Sequence, residues 1–330
     1  MRGIVFVTRA LPEPALDELR RAPEVRELRL HPHDRPVTRE ELRVGLAGAE
    51  ALLAQLVDRV DLEALTWGAD LRVVANCAVG LNNVDVPAAT ARGVLVANTP
   101  DVLTECTADL TLALLLAVAR RVVEGDRIVR AGAFPGWSPT YLLGAEVHGR
   151  TLGIVGLGRI GQAVARRARG FGMPLLWAGR GERPEALELG ATRVPLEELL
   201  ARADFVSLHV PLTTETRRLI DAAALARMKP SAFLINASRG ELVDEAALVA
   251  ALQAGRLAGA GLDVFEREPE LAPGLAALPN AVLTPHVGSA TRETRLAMAR
   301  VAVAAVLATL RGELPRTCVN RPPPRRSAGG

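Results

Sequence analysis

Three polar residues in the second half of the sequence each follow a short apolar run. Arg239 comes after FLINAS, Glu268 after LDVFER and His286 after VLTP. Apolar runs of this length predict buried strands, and open α/β sheets bind ligands at the carboxyl ends of their strands. Taken singly, each residue has an ordinary structural explanation, as an ion-paired arginine, a solvated glutamate or a structural histidine. Their shared position makes them candidates for one site.

Together these side chains supply the groups that reduction of a 2-keto acid requires. An imidazolium can protonate the carbonyl oxygen while a hydride arrives at the carbon. A carboxylate beside the histidine would favour its charged form and orient the ring. An arginine would bind the substrate carboxylate and polarise the carbonyl group. We therefore predict Arg239, Glu268 and His286 as the catalytic residues, and a hydride donor must bind near them.

The stretch from Thr151 to Ala168, TLGIVGLGRIGQAVARRA, has the pattern that binds a dinucleotide. An apolar strand precedes the G-x-G-x-x-G sequence, and a helical pattern follows it. The helix N-terminus offers N–H groups and a partial positive charge to the phosphates, and the second glycine leaves room for them. The cofactor-binding residues predicted in this loop are Gly156, Leu157, Gly158, Arg159, Ile160 and Gly161.

The next strand decides which dinucleotide is favoured. An NAD site carries an acidic residue about 20 positions after the glycines, at the tip of the second strand. Here the strand LLWA (175–178) ends in GRGER (179–183), without an acidic residue at the tip. The guanidinium of Arg180 would pair with a 2′-phosphate. We therefore predict Gly179 and Arg180 as cofactor contacts, with NADP(H) preferred. NAD(H) stays possible, because Arg180 is alternatively a solvated residue and Glu182 could reach the ribose.

Alternating elements position these residues. The first hundred residues contain strand patterns at 4–7, 25–30, 51–54, 71–75 and 94–97, with helical patterns at 14–20, 38–46, 61–67 and 86–92. A single long helix is expected from 101 to 131. Later strand patterns lie at 152–155, 175–178, 205–208, 233–236, 259–264 and 282–284, before a last helix at 291–311. This rhythm predicts the α/β class with parallel sheets.

Composition narrows the class of protein. The chain has 330 residues, enough for two domains, of which 49% are hydrophobic and 23% charged. Forty basic and 37 acidic residues are scattered through it, so the net charge of +3 is no footprint of nucleic-acid binding. No run reaches about 18 uncharged apolar residues. The three cysteines have no metal-ligand spacing and suit a reducing compartment. We expect a cytoplasmic protein without a metal, a membrane or a nucleic-acid partner.

Four segments resemble the D-isomer-specific 2-hydroxyacid dehydrogenase family in order and spacing: VGLGRIG (155–161), INASRGELVDE (235–245), GLDVFEREP (261–269) and TPHVGSAT (284–291). The most similar branch is glyoxylate/hydroxypyruvate reductase. The resemblance implies NAD(P)H-dependent reduction of glyoxylate or hydroxypyruvate to glycolate or D-glycerate. It assigns substrate binding to Arg239, pairing with the histidine to Glu268, and acid/base catalysis to His286.

The resemblance also implies further contacts. Asp263 would face the nicotinamide carboxamide, and Thr104 would lie near the phosphates or the nicotinamide. The other cofactor contacts would be backbone groups at Val210, Pro211, Ala237 and Ser238. Backbone N–H groups of Val79 and Gly80 would bind the substrate carboxylate beside Arg239. Leu53 is a further candidate for the substrate pocket.

Members of the family have two Rossmann-like, doubly wound parallel-sheet domains, a flavodoxin-like substrate domain and a dinucleotide-binding domain. The expected boundaries are 1–99 and 291–320 for the substrate-binding domain and 100–290 for the dinucleotide-binding domain. The tail at 321–330, RPPPRRSAGG, is expected to be disordered.

The loop at 133–149 bears on the oligomeric state. In similar reductases a Trp-containing loop reaches the active site of the neighbouring subunit. We therefore expect a homodimer in which Trp137 or Tyr141 reaches a second subunit. The alternative is a surface loop with buried aromatic anchors.

Two other functions stay open. One is a related D-2-hydroxyacid dehydrogenase of the phosphoglycerate, D-lactate or phosphonate type, although the absent acidic residue disfavours NAD-dependent members. The other is a non-catalytic, NAD(H)-sensing scaffold of the corepressor type, which can keep the catalytic residues. Activity on a panel of small 2-keto acids distinguishes the enzymes from the scaffold.

Overall fold

The computed structural model describes residues 3–322. The chain divides into two compact units, Met1–Leu103 with Ala290–Gly330, and Thr104–Ser289. The boundaries between the units, at 103/104 and 289/290, lie four residues and one residue from the boundaries expected between the domains, at 99/100 and 290/291. From residue 323 onward, the tail that we expect to be disordered lies outside the described residues. No helix between residues 3 and 322 is long and apolar enough to cross a membrane.

The first unit begins with alternating strands and helices. The strands are β1 (Gly3–Val7), β2 (Val25–Leu30), β3 (Ala51–Ala54), β4 (Val73–Asn76) and β5 (Leu95–Ala97). The helices are α1 (Glu13–Arg21), α2 (Arg39–Leu46), α3 (Leu62–Trp67) and α4 (Val86–Ala91). All strand pairs are parallel, in the order β2-β1-β3-β4-β5. Thr38 and Glu41 form the capping box that begins α2. Because the strands are parallel, the loops that follow them all emerge at the carboxyl end of the sheet.

The second unit is built around a larger sheet. Its strands are β6 (Leu152–Val155), β7 (Leu175–Ala178), β8 (Ala191–Arg193), β9 (Phe205–Leu208), β10 (Phe233–Asn236), β11 (Gly259–Leu262) and β12 (Ala281–Leu283). Its helices are α5 (Thr104–Ala119), α6 (Val122–Arg130), α7 (Arg159–Arg169), α8 (Glu185–Leu189), α9 (Leu196–Arg202), α10 (Ala222–Arg227) and α11 (Glu245–Gln253). The strand order is β12-β11-β10-β9-β6-β7-β8, again all parallel. Two parallel α/β sheets confirm the predicted fold class.

Apolar side chains cover both faces of this sheet. Leu234 packs in a cluster with Leu208 and Leu262, whereas its neighbour Ile235 packs in the opposite cluster with Ile154. Successive strand residues point to opposite faces, so a strand buried on both sides reads as an unbroken apolar run. This explains why the inner strands are easy to find in the sequence.

The chain returns to the first unit through α12 (Arg292–Arg311), which Thr291 caps. This helix packs on α1 and the strands β3 and β4. Beyond it, the side chain of Asn320 accepts a hydrogen bond from Val96 N and donates to Val94 O and Thr90 Oγ1. The buried amide therefore ties the segment after α12 to strand β5.

One expected element is wrong, and one strand of the structure was not predicted. The long helix expected from 101 to 131 is two helices, because Arg121 adopts a left-handed φ of 53°. At the break, Ala119 O accepts a hydrogen bond from Ala145 N (2.8 Å), a partner from a returning segment. Strand β8 lacks a predicted counterpart, since it has only three residues at the edge of the sheet.

Candidate active site

Three glycines shape the loop between β6 and α7. Gly156 has a φ of 97°, and a Cβ there would lie 2.7 Å from His209 O. A Cβ on Gly161 would lie 2.2 Å from Gly156 O, so the helix packs directly against the turn. A Cβ on Gly158 would meet nothing within 4 Å. The first and third glycines are thus required by the fold, whereas the second borders open space.

This open space lies at the N-terminus of α7. The helix begins at Arg159, and its first backbone bond runs from Gln162 N to Gly158 O. Leu157 is buried in the core and Ile160 packs against it, while Arg159 is exposed. A helix N-terminus attracts anions through its N–H groups and its dipole. The residues therefore fit the pyrophosphate of a dinucleotide.

The tip of β7 carries positive charge. Gly179 and Arg180 are both exposed, and Gly179 O accepts a hydrogen bond from Arg193 Nη2 (3.0 Å). The guanidinium of Arg193 lies over the ring of Trp177, 5.2 Å from its centroid. A hydrogen bond from Thr213 and, more weakly, the charge of Arg180 hold the pKa of Glu215 below its ordinary value. Arg180 is therefore exposed at the end of β7, where the sequence predicts a contact with a 2′-phosphate.

The loops after β9 and β10 are joined by one hydrogen bond. Ser238 Oγ donates to Val210 O (2.8 Å), and Ser238 N donates to Asn236 Oδ1 (3.1 Å). Pro211 follows Val210 at the same strand end, and Ala237 precedes Ser238. The predicted cofactor residues of these two loops therefore lie together. Thr104 is the first residue of α5.

The geometry reveals a histidine that sequence reasoning missed. His209 follows β9, and its Nε2 lies 2.8 Å from Ser207 Oγ. Burial lowers the pKa of His209 from 6.5 to about 4, so the ring is neutral at pH 7. The signal was available, because His209 ends an apolar strand directly before Val210 and Pro211.

Arg239 is held by its own strand end. Asn236 Nδ2 donates to Arg239 O (2.8 Å), and Arg239 Nη1 donates to Ser238 O (2.6 Å). Burial lowers the pKa of Arg239, while the charges of Glu241 and Glu268 act in the opposite direction. A guanidinium stays charged at physiological pH, so the site holds a permanent cation near Glu268.

His286 and Glu268 are in direct contact. His286 Nδ1 lies 2.8 Å from Glu268 Oε2, and Glu268 Oε1 accepts a hydrogen bond from Phe265 N (3.0 Å). Burial raises the pKa of Glu268, but the hydrogen bond and charge of His286, with the Phe265 N–H and the charge of Arg239, together hold it below its ordinary value. An ionised carboxylate on Nδ1 leaves Nε2 of the ring for a substrate.

Asp263 holds the turn that carries His286. Its carboxylate, only 1% exposed, accepts hydrogen bonds from Thr284 Oγ1 (2.6 Å), Val287 N (2.8 Å) and Gly288 N (2.8 Å). His286 has a φ of 53°, a left-handed conformation that costs a residue with a side chain about 1 kcal/mol. Both oxygens of Asp263 are used in this way, so its contact with a nicotinamide stays a prediction.

In the first unit, the loop after β4 holds Val79 and Gly80. Asn98 Nδ2 donates to Val79 O, and Asn76 Nδ2 donates to Gly80 O, each at 2.9 Å. The carbonyl of Val79 shares a planar peptide with the N–H of Gly80, which therefore points away from Asn98. Asn83 adds a reciprocal amide pair with Asn76. These asparagines orient the predicted carboxylate-binding loop, a role that sequence reasoning missed.

The prediction for Leu53 does not fit the structure. Its side chain is fully buried, with 0% exposed. Strand β3 is an inner strand, where Leu53 lies between Val7 of β1 and Ala75 of β4, and helix α12 packs on this strand. Leu53 therefore packs in the sheet and presents no surface to a substrate.

The pKa of His209 predicts a pH dependence of stability. The unfolded chain binds a proton near pH 6.5 and the folded chain only near pH 4, so stability is lost as pH falls through this window. In His209→Gln, the decrease in the free energy of unfolding between pH 7 and pH 5 should be smaller by about 1–2 kcal/mol. Urea unfolding followed by tryptophan fluorescence measures it. Parallel pH curves for the two proteins would contradict the assignment.

Comparisons with known proteins agree with this geometry. A family model described as D-isomer specific 2-hydroxyacid dehydrogenase, NAD binding domain, matches residues 112–288. Glyoxylate reductase of Pyrococcus furiosus is 49% identical over 326 residues, which are 97% of this chain and 96% of the relative.

Solved structures have the same fold. A Thermus thermophilus protein has 51% identity and a TM-score of 0.89, with 96% of this chain and 100% of the other covered. An NADPH-dependent glyoxylate/hydroxypyruvate reductase of Sinorhizobium meliloti, solved with NADP and malonate, has 36% identity and a TM-score of 0.86, with 99% and 100% covered. The predicted family resemblance is thus confirmed. The chain belongs to the D-isomer-specific 2-hydroxyacid dehydrogenase family, close to the glyoxylate reductases, and is an NAD(P)-dependent oxidoreductase acting on a small keto acid.

Proposed function

We propose that the protein reduces glyoxylate and hydroxypyruvate to glycolate and D-glycerate, with NADPH preferred over NADH. The observation that carries the proposal is the 2.8 Å contact between His286 Nδ1 and Glu268 Oε2. It gives one ring nitrogen a carboxylate partner and leaves the other to act as a proton donor. The glyoxylate reductase and the glyoxylate/hydroxypyruvate reductase among the relatives above support the choice of keto acid.

Each residue has a defined task in the proposed reaction. A nicotinamide dinucleotide, when bound, would supply the hydride. His286 Nε2 donates its proton to the carbonyl oxygen of the keto acid, which would otherwise become an alkoxide. Arg239 binds the substrate carboxylate and stabilises the negative charge that develops on oxygen. Glu268 keeps the imidazole oriented through its contact with Nδ1. For Val79 and Gly80 of the first unit, binding of a carboxylate through backbone N–H groups stays a prediction.

Replacement of the proton donor tests this function. Asn tolerates the left-handed backbone of His286, so His286→Asn should keep the turn and lose only the acid. We expect kcat for glyoxylate and hydroxypyruvate to fall by at least about 10²-fold, while the affinity for NADPH, measured by fluorescence titration, stays unchanged.

The wild-type enzyme supplies the control. Its kcat/KM for keto-acid reduction should fall toward alkaline pH, because the reaction consumes a proton that the donor at position 286 must supply. Full activity of His286→Asn would refute the assignment. A wild-type protein that binds NADPH tightly and reduces no keto acid would favour the scaffold function.

The proposed NADPH preference depends on the charge at the tip of β7. Arg180→Asp removes the partner of a 2′-phosphate and adds an acceptor for a ribose hydroxyl, so the ratio of kcat/KM for NADPH to that for NADH should fall at least tenfold. Arg227→Asp is the control, because it makes the same charge change on the exposed last turn of α10. A wild-type preference for NADH would contradict the proposal directly.

We also propose that the protein is a homodimer that pairs through α6 and the following loop. Helix α6 has no buried residues, and Val122 and Val129 are 56% and 63% exposed. Phe134, Trp137 and Leu143 are 53%, 86% and 64% exposed. The alternative of buried aromatic anchors is therefore wrong for Trp137. Neighbouring exposed apolar side chains indicate an interaction surface.

Sedimentation velocity tests the dimer. The wild-type protein should sediment at twice the chain mass of 35.0 kDa. Val129→Glu should shift it toward the monomer, because a carboxylate would be buried without a partner. The control is Leu187→Glu, which places the same charge at an 88% exposed position on α8 and should leave the mass unchanged. A wild-type monomer would refute the proposal.

A further inference from the structure

A buried carboxylate outside the proposed catalytic set lies behind the Glu268 segment. Glu245 is the first residue of α11 and is only 4% exposed. Asp244 already caps this helix by accepting a hydrogen bond from Ala247 N (3.0 Å), so Glu245 is not needed for that purpose. Burial of an ionisable group is costly unless its oxygens are paired. Its partners are therefore informative.

Both oxygens of Glu245 bind the segment that carries Glu268. Oε1 accepts a hydrogen bond from Glu266 N (2.7 Å), and Oε2 accepts one from Ala272 N (3.2 Å). The two bonds lie on either side of Glu268 in the sequence. One side chain thus fixes the beginning and the end of the loop, and the Glu268 carboxylate lies between these two points.

A second contact holds the same segment against the Arg239 loop. A Cβ on Gly240 would lie 1.9 Å from Phe265 C and 2.4 Å from Glu266 N, so the two backbones are in direct contact. Glu268 Oε1 accepts a hydrogen bond from Phe265 N, within this contact. The position of the Glu268 carboxylate is therefore defined relative to both Arg239 and α11.

We propose that Glu245 is a positioning residue for the reaction and acts through Glu268. By holding residues 266–272, it keeps the Glu268 carboxylate on Nδ1 of His286. This inference rests on the proposed function, because it requires His286 as the proton donor. Glu245 itself does not touch the reacting atoms.

The electrostatic environment agrees with a role that requires rigidity. Burial raises the pKa of Glu245, and the charges of Glu266 and Glu268 act in the same direction against the two N–H bonds. Arg218 binds the side chain of Glu266 and lies 3.7 Å from Asp244. The charged or titratable side chains of the segment are Glu266, Arg267, Glu268 and Glu270, and those near it are Arg218, Arg239, Glu241, Asp244 and His286. The N–H groups of Glu266 and Ala272 partly offset the repulsion between Glu245 and these carboxylates, and they do so only while the loop stays in place.

Glu245→Gln is the sharpest test, because it keeps the volume and removes one of the two acceptor oxygens. The amide NH₂ would face a backbone N–H, so one end of the loop should be released. A displacement of about 1 Å near the reacting groups can cost up to 10²-fold in rate. We expect kcat/KM for the keto acid to fall between about 10-fold and 100-fold, and its pH profile to change, because the proton donor loses a fixed partner. NADPH affinity should stay within about twofold of the wild type, which also shows that the variant is folded.

Two further variants separate positioning from loss of stability. Asp204→Asn is the matched control. Asp204 also accepts a hydrogen bond from a backbone N–H, that of Thr151, and pairs with Lys229, but it lies at the amino-terminal end of the strands of the same sheet. The substitution should leave the pH profile unchanged. In a Glu268→Gln background, Glu245→Gln should cause little additional loss, because both substitutions act on the same contact.

The outcomes distinguish this inference from the proposed function. Activity retained in His286→Asn would overturn the proposed function and this inference with it. If His286→Asn is inactive but Glu245→Gln keeps the wild-type rate and pH profile, only the role of Glu245 is refuted. Fully multiplicative losses in the double variant, or an equal shift in Asp204→Asn, would also refute it.

Discussion

The candidate active site depends on one buried carboxylate, that of Asp263. Its three hydrogen bonds to Thr284, Val287 and Gly288 fold the turn after β12 and hold His286 in a left-handed conformation. Such a conformation is unfavourable for a residue with a side chain, so the surrounding bonds must maintain it. Without them, the imidazole would leave the position in which Nδ1 meets Glu268. His286, the proposed proton donor, is thus oriented by Asp263, a residue that is itself buried.

The other segments of this unit are tied together by similar means. Ser238 links the loops after β9 and β10, Gly240 brings the Arg239 loop into contact with Phe265, and Glu245 spans the Glu268 loop. Because the strands are parallel, all these loops lie at the carboxyl end of the sheet, but this shared position does not set the distances between their side chains. Short hydrogen bonds and backbone contacts do so. They replace flexible water with fixed partners, which strengthens the electrostatic interactions among the charged groups.

Much of this architecture could be predicted, and the reason is periodicity. Strands β6, β7, β9 and β10 match their predicted bounds because inner strands buried on both faces form unbroken apolar runs. The glycine loop could be predicted equally well, because the spacing of its first and third glycines reflects positions where the backbone leaves no room for a Cβ. Predictions failed where a distant segment decided the outcome. Ala145 binds the carbonyl that ends α5, and edge strand β8 depends on pairing with β7. Leu53 is buried on inner strand β3, on which α12 packs.

Residue types and local spacing are enough to predict the fold class, the dinucleotide loop, the positively charged tip of β7 and the three polar residues at strand ends. Folding is needed to establish that His286 touches Glu268, that Asp263 and Glu245 hold the segments around them, and that His209 is neutral. These properties depend on distance and burial between residues far apart in the chain. A buried carboxylate at the start of a helix looks in sequence like a solvated one, because only packing removes it from water.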